Sequence, residues 1–449
     1  MKKAIAIVVF LAAVAGVLIY GYRSRSRKPV NFLLITIDTL RADHLGAYGY
    51  SRKLTPVLDR LAAGGILFEN AFCVMPTTLP SHGSIFFSTW PRIHGSLSNF
   101  VRFSNGSLTF LPDLLQKAGY AVGAVVSVPH LGKNFEHYSS FHDIRFPDRD
   151  RSAEETLHTA RAWLKSNGDQ PFFLWIHLWD PHSPYELHPA YMDQIHPGFK
   201  NDFEKHYQFL KGYSYPPDLL QDMVDLYDNE IAYTDDQLGR FLDGFGRRKG
   251  AENTMILVLS DHGETLGELA QSEGYAFDHG EFLYDHQLRV PLIVVPPGAK
   301  ERGLRISHTV SLLDVMPTIL QTAGVPVPSS AQGNSLVPYL AGSTPARQDP
   351  LVFLERREFT TPPMPFLAQR QFGIRERNYK LLYNESDKQA FIYKNGNEGV
   401  EATGQDRLKD MMLKRMQEWL TMTAGLSKGT GQAVSEEEAE KLRSLGYVQ

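Results

Sequence analysis

Five predominantly apolar runs, Phe32–Ile37, Val122–Val128, Phe172–Leu178, Met255–Leu259 and Val290–Val295, constrain this chain more than any other feature in it. Runs of that kind have to be hidden on both faces, which requires a sheet covered by helices on two sides. Helical segments with suitable punctuation lie between them. Thr55-Pro56 opens one that closes at Gly64-Gly65, and Thr109 precedes another that ends before Gly119. The expectation is an α/β fold. After Gly342 the pattern changes to short β-like pieces, Leu351–Leu354, Tyr379–Tyr383 and Phe391–Tyr393, with one helical segment, Arg407–Leu420, which reads as a smaller α+β appendage. Met411, Met412 and Met416 in that segment read as core filler. The charged tail Glu436–Gln449 reads as helix.

Composition narrows the function classes. With 43% apolar and 21% charged residues over 449 positions, the chain is neither disordered nor collagen-like nor a polytopic membrane protein. The tally of 46 basic against 50 acidic residues leaves a net charge of −4. That balance gives no global attraction to polyanions, so no nucleic-acid partner is expected and any affinity for an anion is local. The single cysteine, Cys73, excludes an internal disulfide and a cysteine-based zinc site. Lys2 and Lys3 precede the uncharged run Ala4–Tyr20, which just reaches bilayer-spanning length. Ala13-Val14-Ala15 resembles a cleavage site, but the apolar run continues past it, so residues 1–28 read as a membrane anchor in preference to a removed signal. Arg23, Arg25, Arg27 and Lys28 on the far side bias that helix toward a cytoplasmic catalytic part.

Three of the apolar runs stop at polar residues that sheet packing does not need. Ile37 gives way to Asp38, Leu178 to Trp179-Asp180-Pro181-His182, and Leu259 to Ser260-Asp261-His262-Gly263. Ligands bind in the crevice beyond strand carboxyl ends in such sheets. Asp38, Asp261 and His262 together form a donor set for one divalent cation; two carboxylates and an imidazole suit calcium, magnesium, manganese or zinc. Further along, Pro80 suits the first turn of a helix, which places Thr78 at the helix entrance, where free amides attract an anion or where Thr77 or Thr78 serves as the cap. His44, His82, His94 and His177 near these motifs read as structural hydrogen-bonding residues, and Asp180 with His177 or His182 is a candidate for a second cation.

The runs Asn31–Tyr50 (NFLLITIDTLRADHLGAYGY), Thr55–Ala71 (TPVLDRLAAGGILFENA), Pro76–Gly95 (PTTLPSHGSIFFSTWPRIHG), His177–Tyr185 (HLWDPHSPY), Tyr227–Tyr233 (YDNEIAY), Ser260–Gly267 (SDHGETLG) and Leu288–Pro297 (LRVPLIVVPP) resemble, in their order, the sulfatase family of the alkaline phosphatase superfamily. The resemblance implies a large mixed, mostly parallel sheet sandwiched by helices over residues 29–345 and a smaller antiparallel sheet-and-helix subdomain over 346–449. It implies one divalent cation held by Asp38, Asp261, His262 and Thr78. It implies catalytic roles for Thr78 as nucleophile, His182 against the transferred group and His279 near the leaving group. It also implies an anionic ester substrate and an extracytoplasmic enzyme tethered to a membrane.

The sequence departs from that family where it matters most. The family frame Cys-x-Pro-Ser-Arg, whose cysteine or serine is oxidised to formylglycine, reads Thr78-Leu79-Pro80-Ser81-His82 here, and Thr39 stands where a second aspartate is frequent. Oxidising a secondary alcohol gives a ketone, so the aldehyde hydrate that expels sulfate does not form. Thr78 therefore resembles the phosphate-handling branches of the superfamily, and the expectation is hydrolysis of phosphate mono- or diesters through a phosphothreonine. Sulfuric-ester hydrolysis, transfer of a phosphoalcohol group to envelope glycans or lipids, and a catalytically inactive, membrane-tethered binding protein are the alternatives.

Overall fold

In the computed structural model, which describes residues 28–104, 108–135, 140–141, 144–200, 217–299, 302–342, 350–359, 365–376, 378–426 and 431–444, the expected runs gather into one sheet. Its first six strands are β1 (Asn31–Ile37), β2 (Ile66–Phe72), β3 (Ala121–Val126), β4 (Ile144–Arg145), β5 (Phe172–Leu178) and β6 (Thr254–Ser260). After the small hairpin β7 (Thr265–Leu266) and β8 (Phe277–Asp278), the sheet is completed by β9 (Arg289–Val290), β10 (Leu292–Val295) and β11 (Leu304–Ser311). The order is β11-β2-β10-β6-β1-β5-β3-β4, with β9 pairing β2 off this path. β6, β1, β5, β3 and β4 run parallel, and β10 runs antiparallel to both β6 and β2. The sheet is thus mixed and mostly parallel.

Both faces of the central strands are covered. Phe32 and Leu34 of β1 enter one apolar cluster and Leu33, Ile35 and Ile37 the other, as the two-residue period of a strand dictates. One layer of helices includes Thr78–Phe87 and Val315–Ala323; the other includes Pro56–Gly64, Ala153–Asn167 and the long helix Pro217–Gly246. The helix expected after Thr109 forms over Leu111–Lys117.

Two expectations need correction. The run Val290–Val295 is two strands rather than one, because Pro291 has no N–H to donate: β9 before it pairs β2, and β10 after it lies between β2 and β6. Met411 is not core filler: it is 42% exposed, while Met412 and Met416 are fully buried on the inner face of their helix.

The second sheet is antiparallel throughout, β12 (Val352–Glu355), β13 (Gln371–Glu376), β14 (Tyr379–Asn384), β15 (Ala390–Lys394) and β16 (Asn397–Glu401) in sequential order. The helix Asp406–Leu426 packs Trp419 on Phe353 with ring centroids 4.8 Å apart. A last helix, Glu436–Ser444, returns to the large unit through an Arg102–Glu438 ion pair at 2.7 Å. The expected anchor, apart from Lys28, lies outside the described residues. Among the described residues no helix is long and apolar enough to cross a membrane.

Candidate functional site

Register assembles the site. In the β1–β6 ladder Ile37 stands opposite Ser260, so the next residue on each strand, Asp38 and Asp261, emerges at the same edge of the sheet. Asp38 N donates to Leu178 O at 2.9 Å, which extends the β5 pairing to that point. Asp38 and Asp261 are fully buried, and among the described residues Asp38 Oδ1, Asp38 Oδ2 and Asp261 Oδ2 have no hydrogen-bond partner. His262 donates from Nδ1 to Gly263 O at 2.9 Å, which leaves Nε2 as a lone pair. That lone pair faces Asp38 Oδ1 at 3.6 Å, Asp261 Oδ2 at 3.5 Å and Thr78 Oγ1 at 3.2 Å.

Acceptors of this kind, buried together without a donor, are costly unless a cation sits among them. The arrangement therefore fits a divalent cation held by Asp38, Asp261, His262 and Thr78. Gly263 leaves no room for a side chain at this turn, since a Cβ there would lie 2.1 Å from His286 O. Gly263→Ala is expected to displace His262 and weaken cation binding by about 10–100-fold, the usual scale for disturbing a ligand's support. Calorimetric titration with Mn²⁺ checks this, and unchanged affinity would refute it.

Thr39, following Asp38, adopts φ +53, an uncommon conformation for a β-branched residue. Tyr227 holds it there, donating its hydroxyl to Thr39 O at 2.8 Å while accepting from Arg41 N at 2.9 Å.

Thr78 opens the helix Thr78–Phe87, and Thr77 before it makes no side-chain capping bond. Leu79 N donates instead to Asn99 Oδ1 at 2.8 Å, and Ser81 N donates to the backbone Thr77 O at 2.9 Å. The helix amides expected to receive an anion after Pro80 are therefore already engaged.

His182 and His279 complete the cluster. His182 stacks on Trp179 with ring centroids 3.7 Å apart, donates from Nδ1 to Ser183 O at 2.6 Å and has its ring 5.1 Å from that of His279. His279 lies 4.3 Å, ring to ring, from His262, and its Nδ1 is 3.4 Å from Glu264 Oε2. Burial pushes the Asp38 carboxyl up, and burial together with the charge of Asp38 pushes Asp261 well up. Burial drives His262 well down and His182 down to about 3. His279 goes the other way: burial opposes its charge, but Glu264, Asp278 and Asp38 lift it to about 9.

All the residues named from sequence for the site thus come together. His82 and His94 bond structurally as expected, to Thr78 O at 2.8 Å and to Ser84 Oγ at 3.2 Å, and His44 pairs with Asp228 at 2.7 Å. His177 does more. Its Nδ1 bonds Ser127 Oγ at 2.9 Å, while Nε2 lies 3.3 Å from Asp38 Oδ2. Glu264 was also missed. It fixes His279 while accepting from Thr265 N at 3.1 Å and Asp278 N at 3.0 Å, and only its place in the motif beginning at Ser260 marks it. Asp180 does not join His177 or His182 in a second cation site: among the described residues its donor oxygen groups with His188 and Glu230 instead.

The family model for sulfatases matches residues 30–325, more than half of the chain, and the model for the C-terminal part of N-sulphoglucosamine sulphohydrolase matches residues 273–422. A Δ4,5-hexuronate-2-O-sulfatase of Bacteroides thetaiotaomicron is 24% identical over 389 residues, covering 78% of this chain and 80% of its own length. An N-acetylglucosamine-6-O-sulfatase of the same organism is 26% identical over 461 residues, covering 82% and 80%. The phosphonate monoester hydrolase of Agrobacterium radiobacter superposes with a TM-score of 0.70 at 18% identity, covering 88% of this chain and 96% of that one. Its likeness is one of fold. Strand-end carboxylates and the matched span agree: the chain is a hydrolase of the sulfatase family, within the alkaline phosphatase superfamily.

Proposed function

We propose that the chain hydrolyses an anionic ester through covalent attack by Thr78, and that sulfuric esters are its first substrate class. The observation that carries the reading is Thr78 Oγ1 at 3.2 Å from the His262 lone pair, beside two carboxylates without donors. The substrate class rests on relatives named as sulfatases of hexuronate and N-acetylglucosamine, and they favour it over the phosphate ester expected from sequence.

When bound, a divalent cation at Asp38, Asp261, His262 and Thr78 supplies Lewis-acid stabilisation of developing negative charge. The chain's own residues do the rest. Thr78 gives its hydroxyl proton to solvent as Oγ attacks the central atom and takes one back from solvent when it is released, and His182 lies beside the oxygens of the transferred group. His279, charged and held at Nδ1 by Glu264, donates its Nε2 proton to the leaving oxygen. Water then attacks the ester on Thr78, gives its proton to His279, and releases the free hydroxyl.

A second reading, phosphate or phosphonate esters, is favoured by one residue. Thr78 yields no aldehyde hydrate, so a group esterified on it leaves only by a second attack on its central atom, a step open to phosphorus without any elimination. A panel of aryl sulfate, phosphate monoester, phosphate diester and phosphonate, each with Ca²⁺, Mg²⁺, Mn²⁺ or Zn²⁺, separates the readings. Turnover of the sulfate that is lost in Thr78→Ala supports the first. Turnover confined to phosphorus esters supports the second, and silence throughout overturns both in favour of a binding protein. Tethering by residues 1–28 with an extracytoplasmic site belongs to the same proposal, and protection of the catalytic part from protease in intact cells would overturn it.

The pH profile follows from His279. As a proton donor it is active in the charged form, so kcat is expected to fall on the alkaline side as His279 deprotonates, below the cation-free value of about 9 because a bound cation offsets the Asp38 charge that helps raise it. His279→Gln removes that limb and lowers kcat by about 10²–10⁴-fold for a poor leaving group, and less for nitrophenol. In the cation-free protein the same charge contributes stability that is complete below about 6.5, the ordinary histidine value, and is lost as pH rises through about 9. Chemical denaturation at several pH values reads it, and a flat dependence would exclude the Glu264 pairing.

A further inference from the structure

Beyond His182 the chain runs to a second buried cluster on the other side of that histidine's segment. Donor atoms of Asp180, His188 and Glu230 lie within 4.8 Å of one another. Glu230, 1% exposed and carried by the long helix Pro217–Gly246, accepts from Glu186 N at 2.7 Å through Oε1. Its Oε2 is buried and, among the described residues, has no partner. His188 is held in place from two sides. Its backbone exchanges hydrogen bonds with Asn229 at 2.7 and 2.9 Å, and its ring stacks on Tyr233 at 3.8 Å and 11°. Its buried Nε2 likewise has no partner among the described residues. Asp180, 4% exposed, spends one oxygen on Ala153 N at 2.7 Å.

The neighbouring charges that act on these carboxylates, Glu186 and Glu155, are acidic too, so among the described residues backbone N–H groups, with no cationic side chain, offset the two buried anions. A shared proton would quiet the two carboxyl groups but would do nothing for His188 Nε2. One cation answers all three. Donors about 2.0–2.2 Å from a metal stand roughly 3–4 Å apart, a spacing this cluster reaches with small side-chain adjustments.

We propose that Asp180, His188 and Glu230 bind a second divalent cation, of the borderline class that accepts imidazole and carboxylate together, such as zinc or manganese. The cation tethers the segment after β5 to the long helix and so positions His182, which sits between Asp180 and His188 in the chain. It touches neither substrate nor Thr78, and the proposal stands apart from the chemistry assigned to Thr78.

The test is metal content of the full chain after equilibration with Zn²⁺ and removal of excess by gel filtration. In an Asp261→Asn background, which removes the carboxylate shared by the two other donor sets, Asp38–Asp261–His262 and His82–His177–Asp261, one zinc per chain is expected. Adding His188→Ala or Glu230→Gln is expected to bring this to zero, with loss of the rise in melting temperature on adding zinc. The result that overturns the proposal is no zinc in Asp261→Asn, or the same zinc content with and without His188 and Glu230. Circular dichroism screens the variants for folding; if both fail, the Asp261→Asn content alone decides, since zinc absent from that folded chain excludes the site.

Discussion

Thr78→Ala is expected to lower kcat/KM by about 10⁴-fold or more while leaving the cation content of the protein intact. Removing a nucleophile that forms the covalent intermediate costs the whole double-displacement route, and the remainder reflects binding and electrostatics alone. Thr78 is one oxygen donor beside two carboxylates and an imidazole, so its loss thins the donor set without dismantling it. Thr78→Ser, which keeps the hydroxyl, is expected to stay within about tenfold of the parent on the same logic. Steady-state kinetics with metal analysis checks both. Intact-mass spectrometry of the parent, quenched during turnover, is expected to show the ester on Thr78. If Thr78→Ala retained a tenth of the parent rate, water or another side chain would have to be the attacking group.

Asp38→Asn is expected to act in opposite directions on two quantities. With the cation present, turnover and metal affinity fall, the latter by at least about 100-fold, because the substitution removes an anionic ligand where even supporting residues count for 10–100-fold. Without the cation, the variant is expected to be more stable than the parent by about 1–3 kcal/mol, the scale of a buried polar group left unsatisfied. The reason is in the geometry. Asp38 Oδ1 faces the His262 Nε2 lone pair at 3.6 Å, Oδ2 lies 3.3 Å from His177 Nε2 with no hydrogen bond formed among the described residues, and Asp261 repels it as well. An amide brings N–H donors to that spot and removes a charge. Thermal melts with and without chelator read both signs together, and a cation-free variant less stable than its parent would mean Asp38 has a donor of its own.

How far the sequence could be read depends on what each residue answers to. Phe172–Leu178 corresponds residue for residue to β5, since a strand paired on both sides and covered on both faces is apolar at nearly every position, His177 being the exception. β2 and β11 carry no such mark. Glu69 and Asn70 interrupt one, and alternating exposure runs through the first half of the other, because these strands lie toward the sheet's edge where one side reaches water. The ligand set was legible because Asp38 and Asp261-His262 stop apolar runs abruptly. Thr78 and His279 needed the family resemblance. Glu264 and Tyr227 escaped, and so did the approach of His177 to Asp38: a glutamate in a turn, a histidine inside a strand and a tyrosine on a helix have ordinary local explanations. Their partners, His279, Asp38 and Thr39, are set only by how distant segments pack.

The pairing of Ile37 with Ser260 has a consequence for handling the protein. Slipping one of these neighbouring strands by a single position would turn its carboxylate into an oily layer. A bound ion therefore works as a vernier on the middle of the sheet. A preparation that keeps its helical signal but has released its ion has lost alignment at its centre, and ion release on gentle heating is expected to announce that loss before bulk unfolding does.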